Sequence, residues 1–453
     1  VNVTERIDIA VVGGGAAGLM AAIWAARTGL EAGGVGGRPL RVVVFDGARK
    51  LGAKILVAGG GRCNVTHHAV DAEQYAGSSR NAIKKVLLQF DVGPTVEFFR
   101  ELGVELKREP TGKLFPVSDD AHTVLNALLQ EAHRLGVEIV HPWRVGEVVA
   151  MDGGGGGGFV LRRDSGWEHV TGAEGWSHAR EVRAARVILC TGGKALPKSG
   201  SDGAGYAFAK ALGHSVTERV FPALVPLLLP KDHWICGLSG ITLWTAIELR
   251  GGGGKKLKQF TNSTLFTHFG LSGPGVLDIS RYYLDEHGRD PAAHLVMSFA
   301  PGWTAEACDA ALIEAARRPL SVARFVGEIA ASGPTPQAAL PERLARAIAE
   351  SVRVDGSALL SSLGREQRRA LAGAITQTRL PITGERGFTF AETTAGGVPL
   401  AELRLETMES RKTPGLFVCG EVCDVDGRIG GFNFQWAWAS GHVAGKSAAV
   451  AIS

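Results

Sequence analysis

The chain has 453 residues, 45% hydrophobic and 21% charged, the balance of a globular protein with a full core spread over two or three domains. A net charge of +4 is small for that length and argues against a nucleic-acid partner, and no basic leader precedes an apolar stretch, so a cytoplasmic protein is expected. Six scattered cysteines (Cys63, Cys190, Cys236, Cys308, Cys419, Cys423) suggest free thiols rather than a disulfide framework.

Ile7, Ile9, Val11 and Val12 form a β-branched run of the kind that builds a buried parallel strand. Gly13, Gly15 and Gly18 follow at G-x-G-x-x-G spacing, then a helix predicted from Ala16 to about Thr28. The first glycine permits a tight turn. The second keeps side chains away from a pyrophosphate, and the third lets helix and strand pack closely. The free N–H groups of the helix start, at Ala16 and Ala17, point at the anion. A second strand, Leu40–Phe45, ends at Asp46, placed for a ribose hydroxyl. The gap from Gly18 to Asp46 is 28 residues (46 − 18) against the usual interval of about 20, and the glycine-rich 32–37 stretch accounts for the surplus as a loop insertion. Ile9 to Ala26 carries no charge and is about long enough to span a bilayer. Three consecutive glycines within it make strand–turn–helix the better reading, and no membrane segment is expected.

Residues 51–66 offer backbone N–H groups, Lys54, the triplet Gly59-Gly60-Gly61, Arg62, Cys63 and Asn64 in one stretch, suited to a flat ring or a diphosphate. Arg62 and Lys54 are expected to offset phosphate charge. Helices are predicted over Ala82–Leu102 and Asp120–Leu135, and strands over Val137–Val140 and Val145–Val149. A buried strand at 187–190 ends in Thr191-Gly192-Gly193. Two glycine runs, 153–158 and 251–254, have no helix after them and read as hairpin connections.

From Lys194 to about residue 303 short β-like runs dominate: Ala223–Leu229, Thr242–Leu249, Leu257–Phe260 and His294–Ser298. Thr304 to Thr376 is alanine-rich with helical spacing, as in Ala307, Leu312 and Ala315 and again in Leu344, Ile348 and Val352. Near the C-terminus an apolar strand runs through Val418 and Cys419 into Gly420 and Glu421, then Asp424 and Gly430-Gly431-Phe432-Asn433. The pairing of this segment with the N-terminal glycines implies one nucleotide site built from both ends of the chain. The expected fold is α/β: a two-segment, glutathione-reductase-like Rossmann FAD-binding domain over 1–193 and 377–453. It is interrupted by a mostly-β domain over 194–303 and a helical segment over 304–376.

Gly52 to Asn64 approximates G-x-K-x-x-x-S-G-G-G-R-C-N, with Ala58 where the pattern has serine. With Thr191–Gly193, Gly200–Gly203, Leu265–Pro274, Thr394–Val398 and Gly420–Ala437, the chain resembles the bacterial flavoproteins variously called HI0933-like, BaiN-like or aminoacetone-oxidase-like. The resemblance spans nearly the whole chain. It implies FAD, with Gly13, Gly15 and Gly18 at the pyrophosphate, Asp46 at the ribose and the backbone of Val145 by the adenine. It further implies Arg62, Cys63 and Asn64 along the diphosphate and ring, Glu421 against the ribityl chain, and Gly431 to Asn433 at the flavin pyrimidine. The activity implied is hydride exchange at flavin N5 with a small organic substrate or NAD(P)H, with oxygen or an unsaturated compound as acceptor. No second strand–G-x-G-x-x-G–helix unit is visible, so NAD(P)H is expected only as a transient donor. The alternatives are an FAD-dependent tRNA-modifying enzyme and a non-catalytic flavin-binding redox sensor.

Core is the default for Cys419/Cys423 and for Trp436/Trp438, and a surface position for His67-His68; His268 is a candidate to face substrate. No metal site is expected, and no catalytic residue is assigned.

Overall fold

A computed structural model describes residues 7–151, 157–167, 175–176, 178–333 and 338–452. The chain divides into two compact units, residues 1–222 with 392–453, and residues 223–391. The stretch 194–222, which the sequence groups with the inserted part, lies in the first unit and carries a helix at Ala204–Ala211. Residues 377–391 lie in the second.

The first unit is organised by a parallel sheet. Its strands are β1 (Ile7–Val12), β2 (Val42–Phe45), β3 (Glu138–Val140), β4 (Glu181–Leu189) and β5 (Leu416–Val418). Their spatial order is β5-β4-β1-β2-β3, so strands from opposite ends of the chain become neighbours on β4. β1 and β2 are buried along their whole length, which is why both read as continuous apolar runs. Helix α1 (Ala16–Glu31) follows β1 and packs on the last helix, α2 (Phe432–Val450). Small residues set that contact: a Cβ on Gly441 would lie 2.6 Å from the Ala17 carbonyl oxygen, and one on Gly445 2.1 Å from that of Ala21. Residues 9–26 are thus strand, turn and helix. Among the described residues no helix is long and apolar enough to cross a membrane.

Several boundaries shift. The single helix expected over 82–102 is two, Arg80–Leu87 and Val92–Glu101. Asp91 breaks it by capping the second, its carboxylate accepting from the Gly93 N–H at 3.0 Å, with Pro94 in the first turn. The strands Val145–Met151 and Gly158–Arg163 pair antiparallel, as the hairpin reading of the first glycine run requires, while residues 153–156 fall outside the described residues.

The second unit holds a seven-stranded antiparallel sheet. In spatial order its strands are Thr378–Leu380, His294–Ser298, Thr242–Arg250, Lys256–Thr267, Gly270–Ser272, Leu227–Leu228 and Gly384–Glu385. Gly251–Gly254 closes the long hairpin, with Gly251 N–H on the Lys255 carbonyl at 3.0 Å. Helices at Ala305–Ala315, Val322–Ile329, Glu342–Ser351 and Arg365–Thr376 follow the helical spacing of 304–376. A further helix, Pro274–His287, interrupts the β-rich stretch, with Pro274 at its first position, where a missing N–H costs nothing.

Candidate functional site

In the first unit two helices start without side-chain caps. α1 begins at Gly15 and α2 at Gly431; neither has a capping side chain or an acid in its first turn, so their leading N–H groups remain donors for an anion. Gly431 has φ 93°, and a Cβ there would sit 2.6 Å from the Thr66 backbone carbon, so glycine is required for the chain to pass residue 66.

The three fingerprint glycines have separate tasks. A Cβ on Gly18 would lie 1.8 Å from the Gly13 carbonyl oxygen, and one on Gly13 2.6 Å from that of Cys190, so both serve backbone packing. A Cβ on Gly15 would meet nothing within 4 Å. That glycine faces open space, at the start of an uncapped helix, where a pyrophosphate needs room.

Asp46 follows β2. Its Oδ2 accepts from Gly14 N–H at 2.6 Å and its Oδ1 from Ala48 N–H at 2.6 Å. Burial raises its pKa, against those two hydrogen bonds and the nearby His141 and Arg144. The carboxylate therefore bridges β2 to the glycine turn, and it stands beside His141, whose Nδ1 is buried without a partner among the described residues. Val145 is buried and starts the antiparallel hairpin.

Residues 53–61 form a helix that breaks at Ala58, with Gly59 and Gly60 left-handed at φ 60° and 72°. Gly59, Gly60 and Gly61 are exposed, and Gly60 would meet nothing if given a Cβ. Arg62 departs from expectation. Its guanidinium donates to Glu109 at 2.7 Å and lies over the Phe115 ring, 4.0 Å from the centroid, so its charge is already balanced by protein. Cys63 is buried, and burial pushes its thiol up to about 12. It is a packed neutral side chain. The Asn64 amide, oriented by its partners, donates to the Thr66 carbonyl at 2.9 Å and accepts from Gly431 N–H at 3.0 Å, tying the motif to the start of α2.

Glu421 joins four segments. Its Oε2 accepts from Lys54 Nζ at 2.5 Å and its Oε1 from Thr394 N–H at 3.0 Å. The Thr394 hydroxyl oxygen in turn accepts from Lys194 N–H at 2.7 Å and Ala195 N–H at 2.9 Å, fixing the loop after Thr191-Gly192-Gly193. A Cβ on Gly193 would strike both Thr394 Oγ1, at 2.5 Å, and Glu421 Oε1, at 2.8 Å. Thr394 has a conspicuous place in this network, yet the sequence offered only its membership of a matched motif.

Gly420 N–H donates to Ser440 Oγ at 3.0 Å, and its carbonyl accepts from Trp436 Nε1 at 3.0 Å. Trp438 Nε1 donates to the Val65 carbonyl at 2.8 Å, so both tryptophans are buried fasteners of α2. Asp424 accepts from the Ser78 hydroxyl at 3.3 Å. The Asn433 side chain closes the 427–433 turn, accepting from Gly427 N–H at 2.8 Å and donating to its carbonyl at 3.0 Å. Phe432 stacks on His67 at 5.0 Å between ring centroids, so His67 belongs beside this turn. Cys190, Cys419 and Cys423 are buried free thiols, and burial raises those of Cys190 and Cys423. Among the described residues no group of three His, Cys, Asp or Glu is arranged to hold a metal.

Both ends of the chain thus contribute an uncapped helix start to the first unit, and the family model for the HI0933-like protein Rossmann domain matches residues 7–447. The chain belongs to this family. Among its relatives is the 3-dehydro-bile acid delta(4,6)-reductase of Clostridium scindens, 34% identical over 97% of this chain and 98% of that protein. Ribosomal RNA dihydrouridine synthases of Escherichia coli and Haemophilus influenzae are 29% and 28% identical, each over 96% of this chain and 96% and 97% of their own lengths. The resemblance read from the motifs thus holds, and the protein is an FAD-dependent oxidoreductase.

Proposed function

We propose that this protein reduces a carbon–carbon double bond conjugated to a carbonyl in a small organic substrate, with NAD(P)H as electron donor. One observation carries the reading: two differently named activities among its end-to-end relatives share a single chemical act. A 3-dehydro-bile acid with double bonds at positions 4 and 6 is a conjugated dienone, and the ring double bond of uridine is likewise conjugated to a carbonyl. Bound FAD supplies two-electron chemistry through its flavin N5. The protein's task is then to hold the ring and position the double bond.

In this reading Gly15, Ala16 and Ala17 at the start of α1 hold the pyrophosphate, Asp46 the adenosine ribose and Val145 the adenine edge. Gly59–Gly61 line the ring system, while Cys63, packed in the core, and Asn64, bonded to Thr66 and Gly431, hold that stretch in place. Arg62 acts by fixing those glycines against Glu109 and Phe115 rather than by neutralising phosphate. Lys54, Thr191–Gly193, Gly420, Glu421 and Asp424 shape the ribityl side. Gly430–Asn433 present the α2 dipole, which favours negative charge on a reduced ring.

The experiment is turnover with NADH or NADPH and a 3-oxo-Δ4 steroid, with the product examined for gain of two hydrogens. Nicotinamide oxidation coupled to that gain is the expected result. Peroxide formed from an amine and oxygen, with the steroid unchanged, would make the protein an oxidase. The names of two relatives favour a second substrate class, ribosomal RNA, and uridine reduced in ribosomal RNA instead of the steroid would establish it.

A further inference from the structure

Within the first unit, Gln435 closes the first turn of α2, its backbone N–H donating to the Gly431 carbonyl at 2.9 Å. Its side chain is 0% exposed, and an amide so buried needs partners at both of its ends. It finds them on two other segments. Its Oε1 accepts from the Thr66 hydroxyl at 2.6 Å, and its Nε2 donates to the Phe90 carbonyl at 2.9 Å and to Thr95 Oγ1 at 3.0 Å. The Thr95 hydroxyl gives its own proton to the Asp91 carbonyl at 2.8 Å, which leaves its oxygen as the acceptor. The Phe90 carbonyl can only accept, so the nitrogen end of the amide is the one that faces it.

The break between the helices Arg80–Leu87 and Val92–Glu101 supplies one of these partners. In an unbroken helix the Phe90 carbonyl would accept from residue 94, but that residue is Pro94, which has no N–H. Gln435 takes the orphaned carbonyl instead. On the other side, residues 64–66 meet α2 three times: Asn64 at the Gly431 N–H, the Val65 carbonyl at Trp438 Nε1, and Thr66 at Gln435. Gln435 is thus the side chain through which both segments grip the first turn, and three hydrogen bonds in different directions fix where that turn points. Direction matters there, because a helix start favours negative charge only within about its first turn.

We propose that Gln435 is a positioning residue for the flavin: by holding the first turn of α2 between Thr66 and the Phe90–Thr95 segment, it aims the helix start at the ring and so favours reduced over oxidised FAD. This rests on the reading above that α2 starts at the flavin pyrimidine. The test is the midpoint potential of the FAD-loaded protein, measured by equilibration with a reference dye, together with the melting temperature of the apoprotein. Thr66→Val keeps the shape of the side chain and removes the hydroxyl that Gln435 accepts from. It is expected to lower the preference for reduced over oxidised FAD about three- to tenfold, a fall of about 15 to 30 mV for a two-electron couple. Thr66→Ser should restore the potential, and Thr95→Val, which leaves Gln435 its bonds to Thr66 and Phe90, should give a smaller fall. A purely structural role would lower the melting temperature and weaken both redox forms of FAD alike, and an unmoved potential in Thr66→Val and Thr95→Val would overturn the proposal. Asn433→Asp separates the proposal from the reading beneath it, because it puts a negative charge into the first turn of α2 itself. A potential lowered by Asn433→Asp but not by Thr66→Val overturns the role of Gln435 alone, whereas a potential that Asn433→Asp leaves unmoved overturns the placement of α2 at the ring and the proposal with it.

Discussion

The two units make their recognition surfaces from different materials. The first uses backbone: two uncapped helix starts, glycines whose missing Cβ is either packed against or left open, and Asp46 and Asn64 spent on main-chain bonds. The second presents side chains from an antiparallel sheet, such as Arg386, whose guanidinium carbon lies 3.5 Å from the Phe390 ring centroid and 4.3 Å from that of Phe269. Backbone recognition constrains residue type at each step, because only glycine tolerates those approaches. Side-chain recognition can be supplied by many sequences. The contrast teaches why a surface built from backbone is the more legible in a sequence.

The sharpest way to break the comparison lies within the fingerprint itself. Gly18→Val should abolish folding of the first unit, since even its Cβ has no room beside the Gly13 carbonyl. Expression trials and circular dichroism check this. Gly15→Ala should melt as the unaltered apoprotein does, yet bind FAD more weakly, by on the order of tenfold for each lost 1.4 kcal/mol. If Gly15→Ala bound FAD normally, the open space at that residue would have no bearing on the pyrophosphate.

The Thr394 network comes next. Thr394→Val leaves the Lys194 and Ala195 N–H groups without their acceptor, at a cost of about 2–4 kcal/mol read by denaturant titration. Thr394→Ser should recover most of it. A Val variant as stable as the Ser variant would show that the hydroxyl does not hold the loop.

A smaller effect concerns acid. His442 on α2 packs against Trp24 at 4.4 Å and Phe90 at 4.5 Å between ring centroids. Burial, helped by Lys446, lowers its pKa from 6.5 to about 4. The unfolded chain therefore binds the proton more readily, so stability falls as pH drops from 6.5 towards 4 and this contribution levels off below. His442→Phe should flatten that part of the melting-temperature profile. An unchanged slope would place the acid sensitivity elsewhere. The smallest effect should be that of Phe390→Ala on stability, within about 0.5 kcal/mol for an exposed side chain, read by denaturant titration.

Much of the first unit could be read directly. β1, α1 and β2 appear in order because continuous apolar runs and glycine spacing report parallel strands and a close helix, although α1 runs on to Glu31, past Thr28. The apolar periodicity of 82–102 runs through the cap at Asp91, so the spacing alone does not reveal that two helices meet there. For Arg62, a positive charge beside glycines does not disclose Glu109, 47 residues away, as the partner of its guanidinium. Thr394 depends on Lys194 and Ala195, about 200 residues away, and only its place in a matched motif marks it. The β-rich and helical textures of the second unit were visible in its short strands and alanine spacing, while the helix at Pro274 lay hidden behind the turn signal of Gly273-Pro274.

The central claim is that this flavoprotein takes electrons from a reduced nicotinamide and gives them to a conjugated double bond. It is tested most directly by anaerobic mixing of the FAD-loaded protein with NADH or NADPH, then with a 3-oxo-Δ4 steroid, while following absorbance at about 450 nm. The account predicts bleaching by the nicotinamide and return of the colour on adding the steroid, without oxygen. A flavin that stays oxidised with both nicotinamides, or one that bleaches and is not recoloured by the steroid, would contradict it.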